Sequence, residues 1–377
     1  MSAFLEFHLI QNFAPSNLNR DDTGAPKDAL FGGHRRARVS SQCFKRAIRD
    51  VARNQSLLPE KFMGVRTMRL KKLMQDKLPH RPAEEASDKI EAALAAAGLK
   101  LKDGGKTEYL LFLGEREVSA FAALVDQHWD ALGSAEKKSK KDAKSSLPKE
   151  VIDQAKSILD GGKAVDVALF GRMLADLPSV NKDAACQVAH AISTHKVTRE
   201  FDYFTAVDDV PASDDSAGAD MIGQIEFNSA TLYRYAALDV NKLMSNLQGD
   251  QALALSAVEA FTQAVVRAIP SGKQNTFAAH NLPQFAGVCL RHASPMSLAN
   301  AFEKPVFPRQ DLSYSDQSIK ALAEHDDKLA KVYGHQNDEW AWLDLSGQWP
   351  ADKGASVASL VELAQKARQL AAKSLGA

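Results

Sequence analysis

Between Ala29 and Arg49 the chain carries six cationic side chains (Arg35, Arg36, Arg38, Lys45, Arg46 and Arg49) and no acid. The 377 residues as a whole balance 47 Lys and Arg against 47 Asp and Glu, so this block is a local field in a neutral molecule. Such a field attracts a polyanion when its charges share one face. The same segment, "KDALFGGHRRARVSSQCFKRAIR" at residues 27–49, also constrains the fold. Gly32-Gly33 predicts a turn, "RRARVS" a short strand, and Ser40-Ser41 the cap of a following helix. Phe44, Ala47, Ile48, Val51 and Ala52 recur at three- and four-residue steps and make the apolar face of that helix. Gln42, Lys45, Arg46, Arg49 and Arg53 lie towards its other side. The first amides of a helix lack partners and its dipole is positive there. Ser40, Ser41 and Gln42 can therefore meet one phosphate while Lys45 and Arg49 meet the next. The competing reading is a solvated amphipathic helix after a basic strand.

The chain length allows two or three domains, and 45% hydrophobic with 25% charged residues is the composition of an ordinary globular protein. Cys43, Cys186 and Cys289 are far apart and odd in number, which fits a reducing cytoplasm and neither a disulfide framework nor a zinc site. "MSAFLEFHLI" lacks a basic leader and alternates as a strand, with Leu5, Phe7 and Leu9 on one face. No apolar run reaches membrane-spanning length, so no membrane partner is expected.

Three further regions differ in pattern. Residues 59–190 read as mainly helical, with "DKIEAALAAAG" and "VSAFAALVDQHWDAL" the strongest periods. From Glu200 to Tyr233 there are eight acids and no Lys or Arg. There "FDYFTAV" and "IEFNSATLYRYAAL" flank the polar stretch "PASDDSAGAD" and predict a protruding β-hairpin running into a core strand. A solvated acidic loop is the alternative. In the last third, Val258, Phe261, Val265 and Ile269 trace a helix that Asp250 can cap and Pro270 ends. "AGVCL" is a short buried strand, and "SIKALAEHDDKLAKV" and "SVASLVELAQKARQLAAKSL" are amphipathic helices. Strands separated by helices suggest an α+β fold with a ferredoxin-like sheet of the kind found in RNA-recognition folds, although the aromatic signature of that fold is absent.

Several segments carry the reading further. "SNLNRDDTGAPKDALFGGHRRARVSSQCFKRAIR", "AHAISTHKV" with "FDYFTAVDD", "SGKQNTFAAHN" and "SPMSLANAFEKPV" occur in this order. Together they resemble the CasC-type backbone subunit family of the type I-E Cascade CRISPR surveillance complex. The resemblance implies an RRM-like palm formed by 1–58, 186–196 and 228–377, helical fingers at 59–185, and a β-hairpin thumb at 197–227. It implies a non-catalytic scaffold without cofactors, whose copies stack head-to-tail on CRISPR RNA and present the spacer to target DNA. Partners would be CRISPR RNA, target DNA, further copies of the chain, and the large, small, handle-binding and processing subunits. A backbone grip leaves sequence reading to base pairing.

Carried over by position, Arg20, Lys27, Ser40, Gln42, Lys45, Arg46 and Arg49 would contact RNA backbone, joined by Lys273 and Gln274 of "SGKQNT". Arg35, Arg36 and Arg38 of the basic strand are counted with them. Phe204 and Thr205 of the thumb, with Met173 of "GRM", would wedge against bases, and core packing is the alternative for Phe204 and Met173. His34 stands where the family commonly has lysine. Lys137, Lys138, Lys140, Lys141 and Lys144 in "KKSKKDAKSS" crowd against one acid, Asp142. The resemblance makes Lys137, Lys138, Lys141 and Lys144 contacts for target DNA, against a solvated loop.

A second class of function is a metal-dependent endoribonuclease. Asp21, Asp22 and Asp28 beside the basic loop could hold magnesium, or form salt bridges and turn caps. His190 and His195 are five apart, off the four-residue step that sets two ligands on one helix face. His34 could act as an acid in RNA cleavage, although phosphate contact suits its isolated position better.

Overall fold

The computed structural model describes residues 3–102, 104–132, 148–159, 162–174, 178–206, 221–292, 294–309, 311–335 and 337–376. Its first elements are β1 (Phe4–Ser16), β2 (Asp28–Phe31), β3 (His34–Val39) and α1 (Ser41–Asn54). There follow β4 (Gly64–Thr67), α2 (Leu70–Gln75), α3 (Ala83–Ala96), β5 (Leu101–Lys102), β6 (Lys106–Thr107), β7 (Leu111–Gly114) and α4 (Glu115–Gln127). Next come α5 (Lys149–Ile158), α6 (Val165–Phe170), β8 (Cys186–Val188), β9 (Ala191–Ser193), β10 (Glu200–Ala206) and β11 (Met221–Asp239). The chain continues with α7 (Val240–Asn246), α8 (Gln251–Arg267), α9 (Gln274–Phe277), β12 (Phe285–Arg291) and α10 (Tyr314–Tyr333). It ends with β13 (Glu339–Asp344), β14 (Ala355–Ser356) and α11 (Leu360–Ser374). The fold divides into two units: Met1–Asn54, Gln187–Val240 and Val258–Ala377 in the first, Gln55–Cys186 and Asn241–Ala257 in the second. No helix among the described residues is long and apolar enough to cross a membrane.

The first unit is built on a large sheet of order β14-β13-β12-β1-β11-β9-β3-β2. β1 pairs antiparallel with β11 on one side and β12 on the other, so Phe4 faces both Asp239 and Arg291. A strand with neighbours on both edges and cover on both faces is buried along its length, and β1 is buried from Leu5 to Gln11. The odd residues behave as their alternation predicts. Phe7 meets Phe261 of α8 edge-on at 5.0 Å between ring centres. Leu9 lies with Phe44 and Ile48 of α1 and Val265 of α8 around a small hollow. On the other face Ile10, Tyr233, Phe285 and Phe302 pack with Ile319 and Leu322 of α10 and with Trp340 and Trp349.

Glu6 and His8 also point to that second face, and both are fully buried. Glu6 accepts from Tyr235 Oη at 2.7 Å and pairs with His8 at 3.3 Å and with Arg291. The Arg291 guanidinium also pairs with Asp326 at 3.0 Å and with Asp338. Lys353 Nζ reaches Asp326 at 2.8 Å. Burial pushes the Glu6 and Asp326 carboxyls up, but the surrounding donors and cations outweigh it and hold both below the ordinary carboxylate range. At Asp338 burial wins and its carboxyl is raised.

In the second unit α3, α4 and α5 close on a core that includes Ile90, Leu94, Phe121, Val125 and Ala155. Glu117 and Arg172 form a buried pair there, Oε1 to Nη1 2.7 Å. Helices make up most of the regular structure described within 59–190, and the sequence pattern misses only short strands: β4 pairs with β7 and β5 with β6, making two small antiparallel sheets. These strands are two to four residues long, too short for period-two alternation to register.

Candidate nucleic-acid interface

Ser40 sits at the start of α1, and its hydroxyl accepts from the Cys43 amide at 3.3 Å. Its own amide donates to Asn19 Oδ1 at 2.9 Å, which ties the polar loop to the helix. The loop is held at its other end by Lys27 N donating to the Asn19 carbonyl, 2.9 Å. Asp21 closes the turn within it, accepting from Thr23 N at 2.9 Å, Thr23 Oγ1 at 2.7 Å and Ala25 N at 3.0 Å. The Thr23 hydroxyl does most to hold Asp21 below its usual value.

The "SGKQNT" segment comes up against this loop. A Cβ on Gly272 would lie 2.3 Å from the Leu18 carbonyl oxygen, so only glycine permits the approach. The loop, α1 and residues 269–272 enclose a groove of about 730 Å³, lined by Asn19, Arg20, Ser40, Gln42, Arg46 and Gly272 among others. Arg20, Gln42 and Arg46 are exposed there. Asp21 and Asp50 share the lining, and Arg46 Nε stands 3.6 Å from Asp50 in an exposed i,i+4 pair. Lys45 and Arg49 are half-buried beside the apolar face of α1, outside the groove lining. Lys273 has a left-handed backbone at φ 51°, and Gln274 uses its Nε2 on the Pro270 carbonyl at 2.9 Å.

The basic strand divides in a way that charge counting does not foresee. Arg36 is fully buried, which corrects its assignment as an RNA contact. Its guanidinium donates to the carbonyls of Ser193 at 3.1 Å, Phe302 at 2.8 Å and Glu303 at 3.1 Å. It is therefore a clamp between β3, β9 and the turn after Phe302. Arg35 is half-exposed and paired with Asp28, which also takes Arg199 Nη2 at 2.9 Å. Arg38 donates to the Asp28 carbonyl at 3.0 Å and stands 3.0 Å from His190 Nδ1. Burial first, then Arg38 and Lys27, push His190 below its ordinary value, which favours a neutral ring. His190 fits no metal-ligand spacing, and nothing in the sequence links it to Arg38.

The hairpin supports that clamp. Gly32, at φ +57°, lies so close to the Glu303 carbonyl that a Cβ would come within 1.9 Å of its oxygen. Gly32→Ala combines this clash with a left-handed backbone and should cost about 2 kcal/mol or more. An unchanged denaturant midpoint would show that the turn and Glu303 are not packed as described.

β11 pairs with β9 and β8 and with two long partners in succession. Asn228–Asp239 pairs with β1, and Met221–Phe227 pairs with β10 as a hairpin. Arg199 fixes its base by bonding Glu226 at 2.9 Å as well as Asp28. Phe204 lies across the hairpin on Gly223, where a Cβ would meet the ring at 2.1 Å. Phe204 remains 40% exposed, and Thr205 is exposed. Phe201 and Tyr203, on the alternate face, are more exposed still at 58% and 63%. In the second unit Met173 is 82% exposed, which sets aside core packing for it. The assignments to Lys137, Lys138, Lys141 and Lys144 fall outside the described residues. Among the described residues no three His, Cys, Asp or Glu side chains are grouped to hold a metal ion.

A family model described as CT1975-like protein matches residues 5–366. A chain of a solved CRISPR RNA-guided surveillance complex in a pre-nicking state is 32% identical, with a TM-score of 0.80 over 98% of this chain and 100% of that one. A chain of another CRISPR RNA-guided surveillance complex is 27% identical, with a TM-score of 0.73 over 97% and 99%. Comparison with curated protein sequences finds no match.

Proposed function

We propose, from the premise that the chain belongs to the CT1975-like protein family, that it is the backbone subunit of a type I-E CRISPR surveillance complex and grips guide RNA as a non-catalytic scaffold. The observation that carries this is the groove in which Arg20, Gln42 and Arg46 line one space with the Ser271-Gly272 turn, running along a 14-residue helix from Ser40 at its N-terminal end to Asn54 at its last residue. Exposed cations, the first amides of a helix and a polar turn suit a sugar-phosphate chain and offer no base-edge readout. Both similar structures are chains of RNA-guided complexes, which supports the same partner.

An RRM-like palm is supported by the central strands. The antiparallel order β12-β1-β11-β9, with α1 between β1 and β9 in sequence and α8 between β11 and β12, is that of a split βαβ pair. On this reading the palm takes 1–58, 186–196 and 228–377, the fingers 59–185 and the thumb 197–227. Copies stack head-to-tail on CRISPR RNA, and the hairpin of one copy reaches the RNA held by the next. Phe204, Thr205 and Met173 then bear on bases by contacts that any base accepts. Target DNA and the other subunits of the complex join the assembly.

The deciding experiment mixes purified protein with end-labelled guide RNA and magnesium, then images the product. Filaments bearing intact RNA over hours are expected. Lone particles would overturn the filament, and RNA cut at regular intervals in a way that Asp28→Ala abolishes would replace the scaffold with a nuclease. Asp21 and Asp28 are engaged by a turn and by Arg35 and Arg199 respectively.

A further inference from the structure

The second unit has a cationic cleft that the groove on α1 does not account for. It measures about 380 Å³ and is lined by Arg69, Lys71, Lys72 and Lys106, with the Gly104-Gly105 turn at its edge and no carboxylate among the described lining residues. Two elements converge to make it. α2 supplies Lys71 and Lys72, preceded by Arg69, and the β5–β6 hairpin brings Lys106 from the other side. Gly105 stands at φ +69°, and a Cβ there would come 2.9 Å from Lys71 Cδ, so glycine lets the lysine stem run against the turn. Lys71 Nζ is neutralised by Glu91 at 2.5 Å. Arg69, Lys72 and Lys106 make no ion pair among the described residues, and all three are exposed.

Like charges gathered in one cleft repel one another, a cost that a bound polyanion removes. We propose that this cleft is a second phosphodiester-binding site, taking successive phosphates of a nucleic-acid strand between Arg69 and Lys72 on one wall and Lys106 on the other. Flexible lysines binding as point charges hold phosphate without reading sequence. The site rests on the nucleic-acid reading given above. The phosphates can come from the guide or from its target, and the two are separable.

The test uses full-length chain carrying Lys72→Glu with Lys106→Glu, alongside a milder Lys72→Gln with Lys106→Gln pair. Both lysine side chains are exposed, and size-exclusion and thermal melting check the fold. Binding is titrated against salt in two arms: the protein with single-stranded guide RNA, and the guide-loaded assembly with complementary duplex DNA. A fall in the salt slope of about 1.4 in the RNA arm, or about 1.8 in the duplex arm, is expected when two phosphates are no longer neutralised. The arm in which the slope falls identifies the strand. Unchanged slopes in both arms, with groove variants such as Arg46→Ala still impairing guide binding, would overturn this site and leave the scaffold standing. If groove variants also have no effect, the nucleic-acid reading itself fails.

Discussion

Arg20→Ala combined with Arg46→Ala is expected to weaken guide RNA binding for every guide sequence alike. The two guanidinium groups are exposed on opposite parts of one groove lining, Arg20 on the loop and Arg46 on α1. Each single-strand phosphate that goes unneutralised removes about 0.7 from the slope of log affinity against log salt, so the pair should remove about 1.4. Filter binding across a salt series with unrelated guides measures both effects. A loss confined to particular sequences would count against a backbone grip, because phosphates carry no base identity. The nearby Asp50 competes only weakly for this role. Arg46 already has a 3.6 Å exposed partner there, and such pairs contribute little.

Arg291→Met is expected to have the largest effect on stability, about 3–5 kcal/mol by denaturant unfolding. The arginine is fully buried and is shared by Glu6, Asp326 and Asp338. Its removal leaves carboxylates in a low-dielectric interior, with Lys353 still serving Asp326 and His8 still beside Glu6. The pH dependence has a definite sign. Glu6 and Asp326 are held below their ordinary values of 4.5 and 3.8. Their contribution is therefore present above that range and disappears as pH falls through the lowered folded values. Asp338 is raised, so its burial is relieved by protonation as the solution turns acid. In Arg291→Met the stranded carboxylates can take up protons, and the gap between native and variant should narrow as pH drops. A gap that is constant from neutral to acid pH would mean that the cluster is not ionised as described.

The elements with long or clean periods are readable in the sequence. The apolar step of Phe44, Ala47, Ile48 and Ala52 does face inwards on α1, while Val51, placed on the same face, is half-buried and lines the groove. Asp250 accepts from Leu253 N at 3.1 Å at the start of α8, as a cap should. The two aromatic runs around the acidic stretch pair as β10 and β11. Arg36 misleads for a physical reason: in a count of charges a guanidinium passes for solvated, yet its planar donors can satisfy several carbonyls and so be buried. Nothing local to Arg36 announces that Ser193 and Phe302 supply those carbonyls. Glu6 and His8 hide in the same way. They mark one face of β1 as polar, and only the distant Arg291, Tyr235 and Asp326 make that face interior. The groove is half legible, since "SNLNR" and "SGKQNT" each stand out, but their contact through Gly272 and Leu18 spans most of the chain.

The position of β1 has a consequence for how the protein is made. It leaves the ribosome well before β11 and β12, the two strands that flank it. At about 5–20 residues per second, Arg291 follows Phe4 on the order of tens of seconds later. Until β11 emerges the apolar side chains of β1 and α1 have no sheet to enter and both edges of β1 are bare, and until β12 emerges one edge stays open to other nascent chains. Synthesis of this subunit therefore calls for a holdase or low local concentration until β12 emerges, and truncations ending before Phe285 should be recovered as aggregates in place of shorter folded forms.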